Sequence, residues 1–147
     1  MTAVRQRGTA SLEVVMIAPF LLALLMLVIA FGRYAQTESL VDQAARDAAR
    51  AATAQNERGA VPDEVDRVVE ESMDDAPGSC RSSARGSAEM TPGAFGLPDP
   101  GDPLAIDSVS VTVSCSLDLG DLAALPLQTV EIERTFTSPL DRYRGYQ

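Results

Sequence analysis

Few groups in this chain are equipped for chemistry, and the first is a carboxylate at the mouth of an apolar run. Glu13 precedes nineteen residues, Val14 to Gly32 (VVMIAPFLLALLMLVIAFG), that carry no charge. A carboxylate drawn into a bilayer costs roughly 2–3 kcal/mol and therefore takes a partner. The other possibility is that it stays among the headgroups, where it favours the positive end of a helix. The second group is a pair of cysteines, Cys80 and Cys115, the only two in the chain. What is missing matters as much. There is no histidine, so the commonest general base and transition-metal ligand is absent. All twelve basic residues are arginine, and they stand against 21 acids for a net charge of −9. No basic stripe exists outside the arginines flanking the apolar run, which argues against a nucleic-acid partner.

The elements that hold these residues follow from periodicity. The uncharged run would be ~28 Å long as a helix, close to the hydrocarbon thickness of a bilayer. It is apolar on every face, and a chain of 147 residues has little else with which to wrap it. A transmembrane helix is therefore expected over residues 9–33, in contact with the lipid bilayer. Arg5 and Arg7 lie on its short side, which predicts a cytoplasmic N-terminus and an extracytoplasmic C-terminal part over residues 34–147. Pro19 cannot donate to the carbonyl of Val15, so a helix kink is expected there. Residues 34–55 lack proline and glycine and are rich in alanine, so the helix should continue outside the membrane. Val41, Ala44, Ala45, Ala48 and Ala52 make a narrow stripe of small residues on it. Such a stripe suits either a partner helix or the chain's own outer part.

Gly59 is expected to end this helix and Pro62 to open a second, amphipathic one, with Val65, Val68, Val69 and Met73 on its apolar face, stopped by Pro77-Gly78. The period then changes to two. Ser108 to Leu117 (SVSVTVSCSL) alternates strictly, as does Thr129 to Thr137, and a weaker strand is expected within residues 79–90. Arg134 falls on the inner face of its strand, so its stem should pack while its head reaches an edge. The fold class predicted is α+β: a long N-terminal helix, a short second helix, and a small antiparallel sheet of about three strands. Residues 91–107 hold four prolines and three glycines and read as a mobile loop. Its Asp99, Asp102 and Asp107 lack the spacing of a calcium loop. The residues after Thr137 read as a polar tail.

In an oxidising compartment an even cysteine count favours one disulfide, Cys80 to Cys115, with two buried thiols as the alternative. Cys115 lies on the inward face of the best strand. Neither a C-x-x-C motif nor a second pair supports a redox or metal role.

Ahead of the apolar run stands Arg7-Gly8-Thr9-Ala10-Ser11-Leu12-Glu13. A basic leader, a glycine, and a glutamate five residues on that opens an apolar helix resemble the processing region of type IV pilin-like proteins. The resemblance narrows with Pro19, Phe31-Gly32-Arg33 and the alanine-arginine stretch from Ala44 to Arg50. Together these are similar to the TadE-like pseudopilins of tight-adherence (Flp-type) pilus systems, over about residues 5–55. Val14 departs from the pattern, which has an aromatic after the glutamate. The resemblance implies a prepilin peptidase cutting between Gly8 and Thr9, which makes residues 1–8 a leader. It implies that Glu13 pairs with the freed amine of a neighbouring pilin-like subunit. It also implies a structural role in assembling a surface pilus or secretion machine, with no catalytic residues and no cofactor. A secreted or signal-anchored acidic binding protein, its apolar run an ordinary signal segment, is the alternative.

Overall fold

The structure is a computed structural model that describes residues 9–96, 106–120 and 129–141, with side chains described from Glu13 onward. Helix α1 spans Thr9–Ala54, 46 residues or ~69 Å at 1.5 Å per residue. A 3-10 turn at Arg58–Ala60 leads into α2, Val61–Ser72, and a short helix α3 follows at Gly78–Ser83. Strands β1 (Arg85–Met90), β2 (Ser108–Leu117) and β3 (Val130–Pro139) form an antiparallel sheet in the order β1-β2-β3. This is the α+β architecture expected from the change of period along the chain.

The outer half of α1 and the whole of α2 cover one face of the sheet. Strand β2 shows why: its odd-numbered residues from Val109 to Leu117 are all buried, while the serines and Thr112 between them are half-exposed. Into the same core α1 sends Val41, Ala44, Ala45, Ala48, Ala49 and Ala52, every one fully buried. Their small side chains let the helix lie close against the valines of β2. Helix α2 adds Val61, Val65 and Val69 from one face, and Met73 joins them from its C-terminal cap. The alanine stripe is thus covered by the chain's own sheet and second helix, the second of the two uses open to it.

Several boundaries differ from the sequence reading. Helix α1 ends at Ala54, not Gly59. Ala52 is its last buried residue, and Glu57 is already extended, so the polar stretch after Ala54 has no core to serve. Helix α2 ends at Ser72, short of Pro77, because Met73 closes the apolar face. Ser138 and Pro139, read as tail, pair with Val109 and Ser108 at the end of β3. Proline is tolerated at that position, the last of an edge strand. Of the loop expected at 91–107, residues 97–105 lie outside the described residues, as does the tail beyond Asp141.

Strand β3 runs in the same sense as α1. Arg134 meets Glu38, whereas Phe136, two residues on, lies beneath Arg46 two helical turns further from the apolar run. The cysteine end of the sheet therefore faces the apolar run. The turn after β1 lies at the opposite end, beside Arg58.

Candidate functional site: the apolar half of α1 and its junction with the head

The candidate site begins where α1 begins. Thr9 is its first residue, and Gly8 lies outside the described residues. Glu13 is exposed one turn in. The helix runs unbroken through Pro19, which is also exposed. From Val14 to Phe31 the large apolar side chains, half-buried Met26 excepted, stand open, with Phe20 at 70% and Phe31 at 66% exposure. A soluble protein would cover such a surface. This helix is long and apolar enough to cross a membrane, and almost none of its apolar stretch is covered by the rest of the chain.

The head starts inside the last turn of the apolar run. Ala30 is only 5% exposed although its neighbours Ile29 and Phe31 are open. Two turns on, Thr37 is fully buried, and its hydroxyl donates to the carbonyl of Arg33 at 2.9 Å. That internal bond is what lets a polar side chain sit in this seam.

Beyond Thr37 the seam becomes charged. The Arg134 guanidinium donates to Glu38, joining β3 to α1. Asp42 pairs with Arg46 at 2.8 Å, and Arg46 lies 5.7 Å from the centre of the Phe136 ring. Ala35, Glu38, Ser39, Asp42 and Arg134 line a shallow hollow of about 350 Å³. Its two carboxylates are each matched by an arginine, Glu38 by Arg134 and Asp42 by Arg46. The Glu38–Arg134 pair escaped the sequence reading, since 96 residues separate its members. A charged residue on an otherwise apolar strand face was the available signal, and it pointed to an edge instead of to α1.

At the far end of the head, Arg58 donates to the carbonyls of Thr91, Pro92 and Ala94 at 2.7, 3.1 and 3.2 Å. The Thr91 hydroxyl donates to the Asp107 carboxylate at 2.7 Å. Asp107 is thereby spent on a turn. Asp99 and Asp102 lie outside the described residues, and among those described no three potential ligands converge on a metal position. On the outer face of α2, Arg67 bonds both Glu64 and Glu71, and the Arg67 hydrogen bond holds the Glu64 carboxyl below its ordinary value.

Cys80 and Cys115 form a disulfide with a Cα–Cα distance of 4.9 Å, and both are buried. Cys80 belongs to α3, a helix not foreseen in the sequence, where a strand or its lead-in was expected.

Fold and site together define an α+β head carried on a helix fit to cross a membrane. The family model described as TadE-like protein matches residues 8–50, from the glycine before Thr9 into the buried alanines of α1, and this stretch of the chain is similar to that family. No curated protein and no solved structure matches the chain.

Proposed function

We propose that this chain is a TadE-like pseudopilin, a membrane-anchored structural component in the assembly of a tight-adherence type pilus or a related surface machine. One observation carries the reading: the family match falls on a helix whose apolar half is uncovered and whose other half is the spine of the head. That is the form of a subunit that assembles through its helix and displays its head. The N-terminus faces the cytoplasm and the head lies outside, as Arg5 and Arg7 direct. A prepilin peptidase removes residues 1–8, and Glu13 then meets the freed amine of a neighbouring subunit. In low dielectric that pairing fixes register between helices. Pro19 loosens the helix between Glu13 and the middle of the span. The work is assembly, not catalysis.

Mass spectrometry of protein extracted from membranes tests the processing. The expected mature chain starts at Thr9, and Gly8→Leu should preserve the leader. A start near Phe31 would support the secreted binding protein instead, and an intact leader in a host with an active prepilin peptidase would remove the assignment. Glu13→Ala tests the pairing. Expression and head fold should survive, because neither the core nor the apolar run includes this side chain, while crosslinks to partner subunits through the helix should be lost. A residue that only favours the helix dipole would cost at most about 1 kcal/mol and leave crosslinks intact.

A further inference from the structure

Strand β3 is an edge of the sheet, since only β2 pairs with it. Which of its backbone groups point outward follows from β2. The Ser116 amide of β2 turns away from β3, toward Ser83, and on that same side the Ser108 carbonyl accepts from the Thr91 amide. Backbone direction alternates along a strand, so the odd-numbered residues of β2 face β3 and engage Val130, Ile132, Arg134, Phe136 and Ser138. That leaves the backbone groups of Glu131, Glu133, Thr135 and Thr137 directed outward, and all four residues are exposed. Among the described residues no backbone carbonyl accepts from their amides. One of the carbonyls is engaged: Arg134 Nη1 donates to Glu133 O at 2.7 Å, which leaves that oxygen a second lone pair.

The side chains on this edge select what can join it. Glu131 and Glu133 stand on the outer face at the end nearer the apolar run, and neither carboxylate takes an ion pair among the described residues. An edge with two acids in a row is closed to most strands and admits one that sets a cation opposite each. Beyond the apolar run, Arg142 and Arg144 are the only basic residues at alternate positions. In an extended segment Arg142-Tyr143-Arg144 would put both guanidiniums on one face, ~6.8 Å apart, which is the spacing of the two glutamates. Tyr143 would then fall on the inner face, the side of Ile132, whichever way the segment runs.

The same chain cannot make this match. Leu140 continues the ladder, its amide donating to the Asp107 carbonyl at 2.8 Å. A two-residue turn directly after it would set Arg144 opposite Pro139, ~20 Å along the strand from Glu133. We propose that the Glu131–Glu133 edge of β3 is a strand-addition site whose occupant is the Arg142–Arg144 segment of a second copy of this chain. Backbone bonds join the two strands, and two arginine–glutamate pairs set their register. The segment leaves the end of the head far from the apolar run, whereas the glutamates lie at the near end. Two copies pointing the same way therefore pair with a stagger of about 20 Å along their long axes. Edge and segment are different surfaces, so each copy receives one neighbour and reaches another. Neither Glu13 nor the apolar stem takes part, so the inference does not rest on the pairing proposed above.

The test is hydrogen exchange of the full chain in detergent at low and high protein concentration. Raising the concentration should slow exchange at the amides of Glu131 and Glu133 by about ten-fold. Glu131→Arg/Glu133→Arg should abolish that protection, and so should Arg142→Glu/Arg144→Glu. A chain carrying all four changes should regain it, because the pairs are restored with their signs reversed. Protection of residues 41–52 reports an intact head in every variant, and Glu13→Ala should leave the two amides as protected as before. A synthetic peptide of residues 139–147 should protect them in dilute chain, whereas the same peptide with Tyr143 and Arg144 exchanged should not. Exchange at Glu131 and Glu133 that ignores concentration would overturn the proposal. So would protection that survives either charge reversal, a fourfold variant that stays unprotected, or equal protection by the two peptides, which would make any basic segment an occupant.

Discussion

Gly86 shows how closely single residues are fitted in this head. A Cβ there would lie 2.7 Å from Val65 Cγ1 and 3.0 Å from Val69 Cγ2, so β1 and α2 approach only because the position lacks a side chain. Both valines are β-branched and nearly locked at χ1 within a helix, so neither can swing aside. Gly86→Ala should therefore lower stability by about 1–3 kcal/mol, as overpacking does. Val65→Ala in the same chain should recover part of that, and denaturant midpoints followed by circular dichroism would show both effects. An unchanged midpoint for Gly86→Ala would mean that the two elements part freely. No sequence signal marked this glycine. By contrast, the inward cysteine of β2 and its valines could be read directly, because strict alternation in an uncharged segment leaves one face to bury. Residues whose role depends on a distant element, such as Glu38 for Arg134, were beyond a local reading.

At the scale of elements, legibility followed length and regularity. Helix α1 and strand β2 were readable because each keeps one period over ten residues or more, and the period alone specifies the face that is buried. Helix α3 was not, since GSCRSS has neither an apolar face nor a run long enough to show one. Its serines act through tertiary position, one turn apart against two strand amides. The end of β3 was misjudged for a related reason. Ser138 and Pro139 look like tail residues, but the ladder to Val109 and Ser108 and the bond from the Leu140 amide to the Asp107 carbonyl, 2.8 Å, carry the strand onward. The alanine stripe of α1 was legible as a packing face but not as to which surface would cover it. Sheet and α2 cover it, so the uncovered part of α1 is its apolar half, not this stripe.

For the whole molecule, the decisive property is that one helix belongs to both the apolar stem and the head. Thr9–Ala54 is a single α-helix, so the direction in which Glu13 points is fixed relative to the sheet by 100° per residue. An assembly that registers Glu13 against a neighbour while heads pack around it needs that phase. Insertions between Phe31 and Gly32 test this, because both residues are exposed and a Cβ at Gly32 would meet nothing. One added alanine turns the head by about 100° and raises it by about 1.5 Å. Seven added alanines restore the phase to within about 20° but raise the head by about 10 Å. In both cases the head should keep its fold, measured by protection of residues 41–52, since every buried residue of α1 except Ala30 lies beyond the insertion. If the phase between stem and head governs assembly, one alanine should abolish crosslinks between subunits and seven should bring them back. Should height govern instead, the single insertion would be tolerated and the seven-residue one would fail. Equal crosslinking in both variants would mean that stem and head act independently, and the continuity of α1 would then have no part in assembly.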